Sequence, residues 1–289
     1  MAADYAGALT AQVYDLATLV AQALAEDTGG RDVTADAVVP QGAGARARIV
    51  QKQPGVVFGL DAVAETLRQC GIEDLNRLVV EGQWRAEVPA QVALAAGPAA
   101  SLLAAERTAL NFLAHLSGVA TLTARFVEAV AGTGARILDT RKTTPGMRAL
   151  EKAAVAAGGG TNHRMGLYDA ILIKENHLAL AAGLAQAVGE AKATGMAVEV
   201  ECRDLEEAEA ALAAGADRLL LDNMRPEQLR RAVELRDAAG SGATLEASGG
   251  IELESVREVA ETGVEFISVG ALTHSAPALD LSMLIEPAG

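Results

Sequence analysis

Apolar and polar positions keep one rhythm up to about residue 117 and another beyond it. In the first part, short alternating or apolar stretches at 45–53, 78–81 and 91–95 predict strands, because period-two alternation puts successive side chains on opposite faces of a sheet. A helical spacing covers 60–70, and Pro54-Gly55, Gly71 and Gly97-Pro98 punctuate these segments. The pattern predicts an α+β domain with a small antiparallel sheet. A long helical stretch then runs from 99 to 130, with Gly118 as a candidate break. The N-terminal segment 1–27 reads as an acidic amphipathic helix.

Beyond residue 117 short apolar runs recur at 136–139, 170–174, 197–201, 218–222, 244–247 and 266–269. Segments rich in Ala, Glu and Leu at 178–194, 205–214, 226–239 and 253–262 separate several of them and predict helices. Near-continuous apolar strands alternating with helices indicate a parallel sheet covered on both faces. About six units at roughly 20–34-residue spacing favour a closed or nearly closed β/α barrel. The competitor, a doubly wound open sheet, usually carries GxGxxG after its first strand. This chain has none.

Composition narrows the function classes. The 289 residues are 51% hydrophobic and 21% charged, enough for a sizeable core in one large or two modest domains. Aromatic residues make up only 3%, which argues against stacking on single-stranded nucleic acid. A formal charge of −14 argues against nucleic acid or an anionic membrane as partner, while leaving room for a local basic pocket. Cys70 and Cys202 lie far apart and predict two reduced thiols. No apolar run reaches the ~18 residues of a membrane span, and the N-terminus lacks the basic start and apolar centre of a signal peptide. A soluble cytoplasmic protein is the expectation.

The chemistry sits after the strands. The first run ends in Asp139-Thr140-Arg141-Lys142 and the second in Lys174-Glu175-Asn176-His177. Glu199-Val200-Glu201 closes the third, Asp222-Asn223 the fourth, Glu246-Ala247-Ser248-Gly249-Gly250 the fifth and Gly270 the sixth. In a β/α barrel these positions meet at one mouth, where active sites are built. Arg107, Arg141, Lys142, His163, Arg164 and Lys174 could form a cationic pocket in an otherwise acidic protein, suited to a substrate with several anionic groups. The competing reading pairs each cation with a surface carboxylate; it is weakest for Lys174, at the end of a strand that looks buried. Ser248-Gly249-Gly250 and Gly270 resemble a barrel phosphate site, because glycines let backbone N–H groups approach an anion. Glu201 and Asp222 then face the middle of the mouth, where they could bind ribose hydroxyls, hold Mg²⁺ or steady a developing positive charge, with Glu246 assisting.

These residues carry a resemblance. The segments ERTALNFLAHLSGVAT, LDTRKTTPGMRALEKAAVAAGGGTNHRMGLYDAILIKENH, VEVECRDLEEA, LLLDNM, LEASGGI and ISVGALTHSAPALDLS resemble the quinolinate phosphoribosyltransferases, as do Glu26-Asp27 and Arg31-Asp32-Val33-Thr34. The likeness covers nearly the whole chain, and DTRKTTPG and NHRMGLYDAILIKENH are its most specific blocks. It implies an N-terminal α/β sandwich domain (1–116, with the tail 276–289 packing back on it) plus a C-terminal incomplete, open α/β barrel (117–275). It implies transfer of phosphoribosyl from 5-phosphoribosyl 1-diphosphate to quinolinate with decarboxylation, giving nicotinate mononucleotide for NAD biosynthesis. It implies a homodimer, with hexamers as a further possibility, in which the Arg107 region enters the partner's site.

By matching positions, Arg107, Arg141, His163, Arg164 and Lys174 would hold the two carboxylates of quinolinate. Lys142, Glu201 and Asp222 would serve 5-phosphoribosyl 1-diphosphate, with Mg²⁺ held by Glu201 and Asp222 through its diphosphate. Ser248, Gly249, Gly250 and Gly270 would take the 5-phosphate, with His274 nearby, and Thr140 and Glu246 would also line the substrate site. Lys142, Lys174, Glu201 and Asp222 would be the catalytic set.

Inside the family, a molybdenum-transport-associated relative or a nicotinate-specific transferase would not need so many cations. From other classes, Lys174 as a Schiff-base lysine would make the chain an aldolase-type lyase, and a non-catalytic phosphosugar-binding protein would need neither Glu201 nor Asp222. An open-sheet type I phosphoribosyltransferase would carry paired acids and a Thr-Gly loop, which LLLDNM lacks.

Overall fold

The strand Gly44–Gln51 shows how the first unit is built: its residues alternate between outward and buried, and Ala45, Ala47 and Ile49 point inward. The structure, a computed structural model, describes residues 15–288, and its chain divides into one unit of residues 1–121 with 277–289 and another of residues 122–276. In the first unit, Gly44–Gln51 pairs antiparallel with Leu281–Pro287 on one side and Ala90–Pro98 on the other. Leu75–Arg77 completes a four-stranded sheet with the order 281–287, 44–51, 90–98, 75–77. Its apolar face packs on Leu60, Val63 and Leu67 of the helix Leu60–Gln69 and on Leu102, Ala105, Ala109 and Leu113 of the helix Ala99–Ala129. Each fully buried Leu among them contributes roughly 1.5–3 kcal/mol.

Three expectations for this unit change. Gly118 does not interrupt the long helix, which runs unbroken through Ala99–Ala129. A Cβ at 118 would lie 2.2 Å from the Pro277 carbonyl oxygen, so this glycine marks a close backbone crossing rather than a break. Residues 78–81 are not a strand. Leu78 N–H still donates to Val92 C=O, but the Glu81 carboxylate is drawn to the N–H groups of Gly59 and Leu60, where Leu60–Gln69 begins. The N-terminal helix is Leu16–Thr28, capped by Asp15; residues 1–14 of the expected helix lie outside the described residues.

The second unit is a six-stranded, all-parallel sheet. Its order is Arg136–Leu138, Phe266–Ser268, Thr244–Ser248, Arg218–Asp222, Val198–Cys202, Ile171–Ile173. This order is cyclic in sequence, as in a barrel, and the ladder opens only between the first and second strands, where Leu138 makes a lone bridge to Thr161. An incomplete barrel results, and a doubly wound sheet, whose order reverses at a switch point, does not.

The helices Arg148–Ala157, Leu184–Lys192, Leu205–Ala213, Pro226–Ala238 and Val256–Ala260 alternate with the strands. The helix expected over 178–194 begins only at Leu184, because Gly183 before it has φ 124, outside the helical region; a separate turn, Glu175–Leu178, follows the second strand. Both cysteines are free thiols, and no helix among the described residues is long and apolar enough to cross a membrane.

Candidate active site

Period two along the barrel strands sorts their charged residues into layers. Glu199 and Glu201 share one face of Val198–Cys202, Arg218 and Asp222 one face of Arg218–Asp222, and Glu246 and Ser248 one face of Thr244–Ser248. The C-terminal members, Glu201, Asp222 and Ser248, are partly exposed at the strand ends, while Glu199 and Glu246 are buried below them. Glu246 was expected at the mouth with Glu201 and Asp222. It lies two residues before the strand end instead, with no exposure, bound by the Ser268 hydroxyl and, at 3.3 Å, by Arg218 Nη1.

At the rim, Lys174 Nζ donates to Glu201 Oε2, so the lysine at the end of the second strand is paired rather than bare. Asp222 Oδ2 accepts from Asn223 Nδ2 at 2.8 Å, and Asn223, in the left-handed region at φ 55, donates its N–H to Ser248 C=O. Gly249 has φ 94, and a Cβ there would strike the Asn223 side chain; Gly250 has φ 60 and open space around its Cα. A Cβ on Gly270 would lie 3.1 Å from His274 Nε2 and 3.3 Å from Lys142 Cδ, so these two side chains flank that glycine. Thr273 Oγ1 donates to Lys142 C=O at 2.8 Å, and Thr140 Oγ1 accepts from Lys142 N–H at 3.0 Å, which tie the Lys142 backbone down. Beside Glu201 a cleft of about 460 Å³ opens, lined also by Glu175, Asn176, Leu178 and Arg203.

The arginines stand apart from this paired set. Arg141 Nε is buried with no hydrogen-bond partner. Burial, then the Arg141 charge, lowers the Arg164 pKa from its ordinary value, and Glu199 and Asp169 offset this only in part. Two guanidiniums near enough for their charges to interact, one with a buried donor unsatisfied, suit an anion with planar oxygens. Arg148, which the sequence reading passed over, braces the loops carrying both: Nε donates to Thr143 Oγ1 and Nη1 to Met165 C=O at 3.1 Å. Arg107 is exposed on Ala99–Ala129, in the first unit.

His163 is held at four points. Its N–H donates to Asp139 Oδ1 at 2.9 Å and its C=O accepts from Lys152 Nζ at 3.0 Å; Asp139 and Lys152 are themselves a buried ion pair. Its Nδ1 accepts from Arg164 N–H at 2.7 Å. Its Nε2 lies 3.2 Å from Glu199 Oε2 and 3.5 Å from Glu246 Oε1. Burial, then the Glu199 charge, raises Glu246 to about 7, and burial raises Asp139 to about 6 against the pull of Lys152.

His163, Glu199 and Glu246 also have the spacing of a metal cluster. Ser268 and Arg218 already occupy both oxygens of Glu246, and the Arg218 charge opposes a cation. Sequence reasoning missed this buried layer, although a Glu or Arg inside an apolar strand run (VEVEC, RLLLD, TLEAS) was a visible signal for it.

Comparison with known proteins agrees with the motifs. Residues 32–117 match the N-terminal domain of quinolinate phosphoribosyl transferase and residues 119–284 its C-terminal domain. The chain is 42% identical over 269 residues to the nicotinate-nucleotide pyrophosphorylase [carboxylating] of Mycobacterium leprae, covering 91% of this chain and 95% of that one. With the Homo sapiens protein of the same description it is 40% identical over 277 residues, covering 93% and 91%. The solved nicotinate-nucleotide pyrophosphorylase from Francisella tularensis superposes with a TM-score of 0.88 at 39% identity, over 96% of this chain and all of the other. A chain with this barrel, this mouth and these matches belongs to the quinolinate phosphoribosyl transferase family.

Proposed function

We propose that the protein transfers the phosphoribosyl group of 5-phosphoribosyl 1-diphosphate to quinolinate with loss of CO₂, producing nicotinate mononucleotide and diphosphate for NAD biosynthesis. Relatives across most of the chain carry the name of this activity. The observation that carries the reading onto this site is the Arg141–Arg164 pair, whose only partly offset charge and unpartnered Arg141 Nε call for carboxylate oxygens.

In this reading Arg141 and Arg164 hold the quinolinate carboxylates together with Lys174, and Arg107 arrives from a second copy of the chain in a homodimer. The glycines after the fifth and sixth strands, with Ser248, Lys142 and His274, receive the 5-phosphate and diphosphate ends of the donor. Magnesium fits the rim. Glu201 and Asp222 offer two hard oxygen donors, and Mg²⁺ commonly takes one or two carboxylates with the remainder from substrate phosphates and water. Held there, the ion would neutralise charge on the diphosphate.

The chain's own residues then act by position and charge. The cations align two anionic substrates that repel each other in water, bringing the pyridine nitrogen onto the anomeric carbon. As the C–O bond to diphosphate breaks, positive charge grows on the ribose, and the Glu201 and Asp222 carboxylates stabilise it. The new C–N bond leaves the ring nitrogen cationic. The electron pair of the adjacent C–CO₂⁻ bond passes into the ring as CO₂ departs, and a proton replaces it.

The deciding assay follows nicotinate mononucleotide and CO₂ together from quinolinate, 5-phosphoribosyl 1-diphosphate and Mg²⁺, with nicotinate as a parallel acceptor. Equal yields of both products, from quinolinate alone, are expected. Product from nicotinate at a comparable rate would overturn the assignment of acceptor.

A further inference from the structure

The imidazole of His163 has no polar atom left for a substrate. Arg164 N–H points at Nδ1 from 2.7 Å, so Nδ1 is an acceptor and carries no proton. Nε2 then carries the ring hydrogen and donates it to Glu199, with Glu246 just beyond. The side chain is only 9% exposed. The Glu199 and Glu246 charges favour a proton on the ring against the cost of burial, while the Nδ1 geometry opposes it. Arg218 balances one buried carboxylate, and a single further proton must sit either on His163 or on the Glu199–Glu246 pair. On His163 it would set Nδ1–H against Arg164 N–H. On Glu246, whose oxygens accept from the Ser268 hydroxyl and Arg218, it opposes no backbone donor fixed in place as Arg164 N–H is.

We infer that His163 is a positioning residue, locked as the neutral Nε2–H tautomer between Glu199 and the Arg164 backbone, and that it presents the Arg164 guanidinium to the acceptor without contacting it. The rest of the loop is built to the same end. Arg164 Nη1 is anchored on Ala170 C=O at 3.1 Å, and the Asp169 carboxylate takes the N–H groups of Met165 and Gly166. The Asp139–Lys152 pair fixes both backbone groups of His163. Glu199 becomes a positioning residue for the same reason: it holds the ring that holds Arg164.

Histidine labelled with ¹⁵N in the wild-type protein tests this. Long-range ¹H–¹⁵N correlation at neutral pH, with the His163 signal identified by its loss in His163→Gln, should show the Nε2–H pattern both free and saturated with quinolinate. An imidazolium pattern, or a change of tautomer as quinolinate is added, would overturn the inference and make His163 an acceptor ligand. In kinetics, Glu199→Gln keeps an acceptor for Nε2–H and should leave the quinolinate KM within about threefold of wild type. Glu199→Ala should raise it by about tenfold or more with the KM for 5-phosphoribosyl 1-diphosphate unchanged. Equal losses in the two variants would also overturn it. The kinetic half rests on the acceptor proposed above. The tautomer does not, so a protein that ignored quinolinate would defeat that proposal while the free-state spectrum still judged this one.

Discussion

At the residue scale the site divides into groups that are neutralised by neighbours and groups that are not. Lys174 has Glu201, Lys152 has Asp139 and Arg218 has Glu246, whereas Arg141 Nε has no partner and its charge disfavours that of Arg164. Removing one of the unmatched pair should therefore harm ligand binding more than folding. Arg141→Ala is expected to lower kcat/KM for quinolinate by roughly 10–100-fold, the worth of one charge-assisted contact, with an unchanged melting curve. Near wild-type kinetics would remove Arg141 from the site.

The buried acids make a prediction of opposite character. Glu246 titrates at about 7 in the fold against 4.5 as its ordinary value, so between those values the folded chain binds more protons than the unfolded one. Unfolding free energy must then fall as pH rises through that window. In Glu246→Gln this contribution disappears, and denaturant melts from pH 4.5 to 7.5 should show a flatter decline. An identical slope in variant and wild type would exclude Glu246 as its source.

At the scale of elements, glycine does two different jobs in one chain. Gly183 delays the start of a helix to Leu184 by adopting φ 124, whereas Gly118 sits inside an unbroken helix and lets the Pro277 carbonyl approach. Only the contact distinguishes them, and sequence alone made Gly118 look like a break. Gly118→Ala retains helix propensity yet forces a Cβ into backbone that cannot rotate away, so it should cost about 1–3 kcal/mol. Urea unfolding at a midpoint equal to or above wild type would show that the crossing relaxes. The layered strands are the other element-scale lesson. Two residues along a strand separate Glu199 from Glu201 and Glu246 from Ser248, and the spacing turns one apolar run into a buried charge and a rim group.

For the whole molecule, the proposed homodimer makes a mixing prediction. Arg107→Ala and Arg141→Ala each disable one half of a site that two chains are proposed to share. Dimers reassorted from an equal mixture should recover about a quarter of wild-type activity, since half the dimers are mixed and each holds one intact site. No recovery after verified exchange of subunits would place Arg107 outside the partner's site.

Much of this protein was legible before any coordinates, for reasons of periodicity and local chemistry. Alternating and near-continuous apolar runs identify the antiparallel and parallel sheets, because each follows from which faces must leave water. Polar residues directly after six strands identify the mouth, since parallel strands all end on one side. Tertiary structure decided what depends on partners far apart in sequence. It set Lys174 on Glu201, 27 residues on, and Arg218 on Glu246, 28 residues on. It moved Glu246 from the rim to the interior, turned the His163 ring inward, and left Arg141 Nε without a partner beside an Arg164 charge only partly offset. Local pattern reports how each residue relates to solvent; which charges cancel, and which remain to bind a substrate, is fixed only when the strands lie side by side.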